Sequence, residues 1–216
     1  MNRYVTELVG TFFLVFTIGM SVTAGHAMAP IAIGLGLTAL VYMGGHVSGA
    51  HYNPAVTVGF LLAGGIERRD VAPYIAAQIF GAWLAANSVQ FIAAEAFAAA
   101  PGPGYHLAHV LLAEILFTFM LMLVILNVAM AKNTRGNAYY GIAIGFTVTA
   151  GIFAVGDVSG AVFNPAVGIG PIMVESMMAG GTLANAWIYI AAPVAGAVAA
   201  VPVFRLQEAG GDDHES

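Results

Sequence analysis

The string GHVSGAHYNPAV at residues 45–56 returns as GDVSGAVFNPAV at 156–167, shifted by 111 positions. Three further blocks repeat in the same order. IAIG at 31–34 matches IAIG at 142–145 with the same shift. YIAA at 74–77, followed by GA at 81–82, matches YIAA at 189–192 and GA at 196–197, shifted by 115. Glu7 and Thr11 match Glu114 and Thr118, shifted by 107. Four ordered blocks with small drifts mean that the chain is one unit written twice. Its fold is therefore a pair of related halves, here divided as residues 1–105 and 106–205, with a tail at 206–216.

Composition tells what each half is made of. Of 216 residues only 17 are charged, six basic and eleven acidic, and 60% are apolar. A soluble domain of this size carries about 50 charges. A disordered chain, a nucleic-acid binder with a basic face and an ordinary cytosolic enzyme are all excluded. With no cysteine there is no disulfide framework, thiolate metal site or cysteine nucleophile. A membrane-spanning helix needs ~20 apolar residues. Apolar runs predict spans at 4–22, 30–47, 72–96, 108–131, 139–156 and 183–204.

Two more apolar stretches, 48–66 and 157–178, each begin with Gly, Ser and an Asn-Pro, which suit a loop better than a helix middle. The basic residues choose between six spans and eight. With six spans and a cytoplasmic start, Arg3, Arg68, Arg69, Lys132, Arg135 and Arg205 all fall on the cytoplasmic side. With eight, four of them fall outside. The two stretches are thus expected to dip into the membrane and return. Arg3, the apolar run and Ala27-Met28-Ala29 have the outline of a secretory signal. Glu7 inside the run, and its mid-chain counterpart, favour a retained first span. The expected class is an all-α integral membrane protein of the inner or plasma membrane, both termini cytoplasmic. Residues from Gly210 onward read as disordered.

Three spans per copy is an odd number, so the second copy enters the membrane upside down: an inverted-topology repeat. The two dips approach from opposite sides and meet near the middle. Asn-Pro-Ala-Val is a helix start, with Asn53 and Asn164 as N-caps, Pro54 and Pro165 at the first helical position, and Ala55 and Ala166 continuing the turn. Both positive helix ends then face the midplane. Irregular backbone at that depth must be buried in protein or line a watery cavity. The pairing implies a pore whose centre offers amide donors, welcomes neutral oxygen acceptors and repels cations.

On these features the chain resembles the aquaporin (major intrinsic protein) family, whose mark is two Asn-Pro-Ala motifs in inverted three-span halves. The resemblance covers about residues 4–205 and implies six transmembrane helices plus two re-entrant half-helices. It implies a passive channel for water and small neutral solutes, without cofactor or enzymatic activity, assembled as a homotetramer with one pore per subunit. Glu7 and Glu114, ionisable groups inside spans, are implied to brace the two loops. His46 and His51 are implied to flank or line the cytoplasmic half of the pore. No cysteine or carboxylate shares their loop, so no metal is expected there. Gly81, Gly141 and Gly196, each with a small residue four positions on, are expected at close helix crossings. The Phe and Met run from Phe117 to Met122 is expected at lipid or a neighbouring subunit.

The chain departs from the family at the outer constriction. Relatives carry Arg directly after the second motif, where this chain has Val167. Counting from the motifs, the other filter positions are Ile33, Ile152 and Ala161. A cation ~4 Å from a fixed positive charge is opposed by about 4 kcal/mol at an effective dielectric of 20. That is roughly a thousandfold in occupancy. A wide apolar ring lacks this barrier; desolvation at the ring and the two half-helix ends still oppose ions, more weakly. Gly168-Ile169-Gly170-Pro171 resembles the glycerol-channel branch in its Gly-Pro, while the short loops favour the water-channel branch. Water, glycerol, urea, ammonia and hydrogen peroxide all stay open as solutes. So do two other readings: a secondary transporter built on the inverted repeat, and a structural membrane protein that hardly conducts.

Overall fold

Each half folds as two long helices, one short helix and a third long helix. The computed structural model describes residues 2–211. The first half comprises α1 (Asn2–Thr23), α2 (Ala29–Ser48), α3 (Pro54–Ala63) and α4 (Arg68–Ala93). The second comprises α5 (Leu107–Ala129), α6 (Tyr140–Ser159), α7 (Pro165–Met178) and α8 (Ile188–Gly211). No strand occurs among the described residues. Six helices are long and apolar enough to cross a membrane, and α3 and α7 are the two short ones between them. Each of the six sequence-derived spans falls on a long helix, and each dip on a short one.

Glycine sets the crossings. Any Cβ on Gly34 would run into Gly145 O at 2.7 Å, and one on Gly145 would strike Gly34 O in return. These residues are repeat partners, so α2 and α6 cross on the pseudo-twofold axis. Gly81 lies against Leu8 O, and its partner Gly196 against Ile115 O, bringing α4 onto α1 and α8 onto α5. The halves also interlock: α3 packs on α8, and α7 on α4. Outside, Phe91, Phe146, Phe153 and Ile142 are exposed, as helices bounded by lipid require.

The boundaries differ from expectation where capping decides. α2 and α6 both end on a left-handed glycine, Gly49 (φ 85°) and Gly160 (φ 83°), whose N–H closes onto Gly45 O and Gly156 O. α6 therefore runs three residues past the expected 156. α4 stops at Ala93 rather than 96 because Ala94 takes φ 56°. Residues 183–185 form a separate short turn ahead of α8. Residues 206–211, expected in the tail, are helical. Asn127 Nδ2 donates to Gln207 Oε1 at 2.8 Å, and Lys132 N–H to Glu208 Oε2 at 3.3 Å, holding this turn to the end of α5. The rest of the predicted tail lies outside the described residues.

The Phe117–Met122 run needs correction in part: Met120 is exposed, whereas Phe117 and Met122 turn inward. Phe117 stacks on Phe163 with centroids 5.4 Å apart, and Met122 is fully buried against Gly59. Both pack inward on the short-helix segments, because those segments fill the space that two bare helix bundles would leave open.

Candidate functional site

The two short helices begin head to head. Asn53 is the N-cap of α3, its Oδ1 accepting from Ala55 N–H at 2.8 Å and Val56 N–H at 3.4 Å. Asn164 caps α7 in the same way through Ala166 N–H at 2.9 Å. With its carbonyl so engaged, each side chain spends one amide N–H on the other half. Asn53 Nδ2 donates to Phe163 O and Asn164 Nδ2 to Tyr52 O, both at 2.9 Å. Reciprocal bonds clamp the two starts together, and the second N–H of each amide is left for a ligand.

Two buried carboxylates hold the loops leading into these caps. Glu7 accepts from Ser48 Oγ (2.6 Å), His51 N–H (3.0 Å), Tyr52 N–H (2.7 Å) and Gln78 Nε2 (2.8 Å). Glu114 accepts from Ser159 Oγ (2.6 Å), Val162 N–H (2.9 Å) and Phe163 N–H (2.7 Å). Tyr74 and Tyr189 donate to Ser48 O and Ser159 O at 2.8 and 2.7 Å. The bracing offsets strain. Ala50, Tyr52, Ala161 and Phe163 all take φ of 47–51°, a conformation costing an L-residue about 1–2 kcal/mol.

The strained loops serve a cavity of about 510 Å³ that threads the bundle. Gly49, Ala50, His51, Gly160, Ala161 and Val162 line it, and their carbonyls accept no hydrogen bond from any described group. Their sequence neighbours Tyr52 and Phe163, by contrast, have their carbonyls taken by Asn164 and Asn53. At one end stand His46, Arg135 and Asn137; at the other stand Ile33, Ile152, Ala161 and Val167. All four positions expected at the constriction border this cavity. Arg135 is the single formally charged residue along the lining and has no ion-pair partner among the described residues.

His51 is buried and bonds through Nδ1 to Thr57 Oγ1 at 3.1 Å, while His46 is exposed at the mouth. His26, His106 and His109 lie at the far end of the bundle, away from the cavity lining. Glu95 is exposed just past α4. Sequence reasoning missed Arg135, Asn137, Thr57 and Gln78. The tyrosine pair carried a signal, since Tyr74 and Tyr189 open a repeated block. Gln78 carried none, because its repeat partner is Pro193.

The basic residues gather at one end. Arg3 pairs with Asp70 at the start of α4 at 2.7 Å, and Arg205 donates to Leu62 O near the end of α3 at 2.6 Å. Arg68, Arg69, Lys132 and Arg135 sit at helix ends on the same side. Two inverted halves, six helices long enough to span a membrane and a cavity that threads between them define a transmembrane channel. Residues 1–204 match the family model of the major intrinsic proteins, and the chain belongs to that family.

Among its relatives is aquaporin NIP1-1 of Oryza sativa subsp. japonica, 36% identical over 216 residues, covering 95% of this chain and 74% of the rice protein. The glycerol uptake facilitator protein-like 6 of Lactiplantibacillus plantarum is 37% identical over 219 residues, covering 95% and 98%. The X-ray structure of the aquaglyceroporin from Plasmodium falciparum superposes with a TM-score of 0.82 at 22% identity, covering 95% of this chain and 98% of that one. That likeness establishes the fold. The chain is a passive channel for water and small neutral solutes.

Proposed function

We propose that Ile33, Ile152, Ala161 and Val167 form the selectivity filter, and that its apolar character widens the solute range from water to glycerol and urea. The observation that carries the reading is the lining itself: four apolar side chains border the same cavity, with Val167 directly after the second asparagine motif. A solute sheds water at that ring without gaining a side-chain donor, so passage depends on its own desolvation cost. Beyond the ring the unbonded loop carbonyls and the amides of Asn53 and Asn164 are the groups available to return hydrogen bonds. Two half-helix starts keep the centre positive. Cations are thus opposed at the middle, although no arginine guards the filter.

The mouth with Arg135 and His46 faces the cytoplasm in this reading, because the basic residues cluster there. The assembly is a homotetramer with one pore per subunit, as kinship with the family suggests; cross-linking in native membranes should give a ladder that stops at four. The decisive experiment is a stopped-flow panel on proteoliposomes comparing water, glycerol, urea and ammonia. Water and at least one solute should cross well above the lipid rate. Lipid-level rates for all four refute the channel reading, and uptake that saturates and collapses with an ion gradient would favour the transporter.

A further inference from the structure

A chain of hydrogen bonds in the first half has no counterpart in the second. Each oxygen of Glu7 receives two donors: Oε1 from Ser48 Oγ and His51 N–H, Oε2 from Tyr52 N–H and Gln78 Nε2. A carboxylate filled in this way accepts only. Gln78 must therefore turn its NH2 group, not its carbonyl, toward Glu7. The same nitrogen gives its second N–H to Thr57 Oγ1 at 3.0 Å. The cost of this orientation is visible, since Gln78 Oε1 is buried without a partner.

Thr57 has one hydroxyl proton, and it goes to Asn53 O at 3.0 Å, an atom that can only accept. The last contact of Thr57 Oγ1 is His51 Nδ1 at 3.1 Å. Asn53 O also takes the Thr57 N–H at 3.0 Å, and its second lone pair takes the hydroxyl, which assigns His51 Nδ1 as the donor. Among the described residues no carboxylate touches the His51 ring, which stacks on Phe60 with centroids 4.3 Å apart. A charged imidazole has no partner there, so the ring is neutral and Nε2 carries a bare lone pair. Nε2 meets no donor among the described residues, is not among the sealed polar atoms, and belongs to a residue lining the cavity. In the second half Val162, Gly168 and Pro193 occupy the positions equivalent to His51, Thr57 and Gln78.

We propose that His51 is a specificity-determining residue that presents a fixed acceptor, its Nε2 lone pair, to the channel, with Thr57 and Gln78 as the positioning residues that lock it. Asn53, whose amide is a donor, lines the same cavity, so a solute that both donates and accepts finds both partners along its path. Formamide, urea and polyols are of this class. The transport consequence rests on the channel reading; the protonation pattern does not.

Nitrogen-15 solid-state NMR of the full-length protein in lipid vesicles, with His51→Phe identifying the signal by difference, tests the pattern. The expected spectrum shows Nδ1 protonated and Nε2 bare; a proton on Nε2 overturns the proposal. Thr57→Val removes the lock and should mix the tautomers, while Thr57→Ser should restore the single form. An unchanged spectrum in Thr57→Val overturns the positioning role. In flux, His51→Phe keeps the stacked ring without the nitrogen and should slow formamide about threefold to tenfold, the weight of one net hydrogen bond. Unchanged formamide flux overturns the specificity role. Unmodified protein that passes no solute above lipid overturns the channel reading instead, with the spectrum still deciding the tautomer.

Discussion

The bracing carboxylate of the second half offers the sharpest test of how the pore is held. In Glu114→Gln, the new amide keeps one carbonyl oxygen, which serves Ser159 Oγ and Val162 N–H as before. Its NH2 then faces Phe163 N–H, donor against donor, where Glu114 Oε2 accepted at 2.7 Å. One buried orphan donor costs about 1–3 kcal/mol. In a chain of this length that lowers Tm by about 2–12 °C. Glu114→Leu removes the acceptor for all three donors at a site with no exposure. The cost rises to roughly 3–9 kcal/mol, comparable with a typical domain's whole stability of about 5–15 kcal/mol. Thermal unfolding of purified protein in detergent, paired with proteoliposome flux, reads both effects. Glu114→Gln should fold, melt earlier and conduct; Glu114→Leu should fail to fold or lose conduction. A leucine variant as stable and as permeable as the parent would mean that the loop at Ala161 and Phe163 is held by other forces, and the bracing argument falls.

Other outcomes follow from the same geometry. Val167→Arg puts a cation and its donors into the apolar wall, and should cut glycerol and urea flux at least tenfold while sparing water; equal losses for all three would show that Val167 is not at the filter. Asn164→Ala removes both the N-cap of α7 and the bond to Tyr52 O. It should lower stability by about 1–2 kcal/mol, checked by thermal melting, and raise the leak of small cations in a vesicle conductance assay. Gly145→Leu drives a side chain into the α2–α6 crossing at Gly34 O. The purified protein should not reach a stable fold in detergent, whereas Gly136→Ala, in open space although at φ 77°, should fold with only a modest loss by the same melt.

The repeat made most of the architecture legible in advance. Two copies with an odd number of spans can only be inverted, and Asn-Pro can only begin a helix cheaply, so the short α3 and α7 and their meeting followed from local chemistry. Glu7 and Glu114 announced themselves because a carboxylate in an apolar run needs a reason. The Thr57–His51 pair did not, since a threonine and a histidine six residues apart have no periodic signature and Gln78 arrives from another helix. The turn at 206–211 was misjudged because its anchors, Asn127 and Lys132, are distant in the chain.

The sequence by itself determined class, the number of spans and the capped starts of the two short helices, because apolar length and helix-capping are local properties. It also determined that no arginine stands at position 167. Which groups share the cavity wall was decided only in three dimensions. Ile33, Ile152 and Val167 come from three different helices, and Arg135 reaches the lining from a loop. The direction of each hydrogen bond likewise had to wait for the packed structure, because Thr57 has one proton to give and only the assembled neighbours show where it goes.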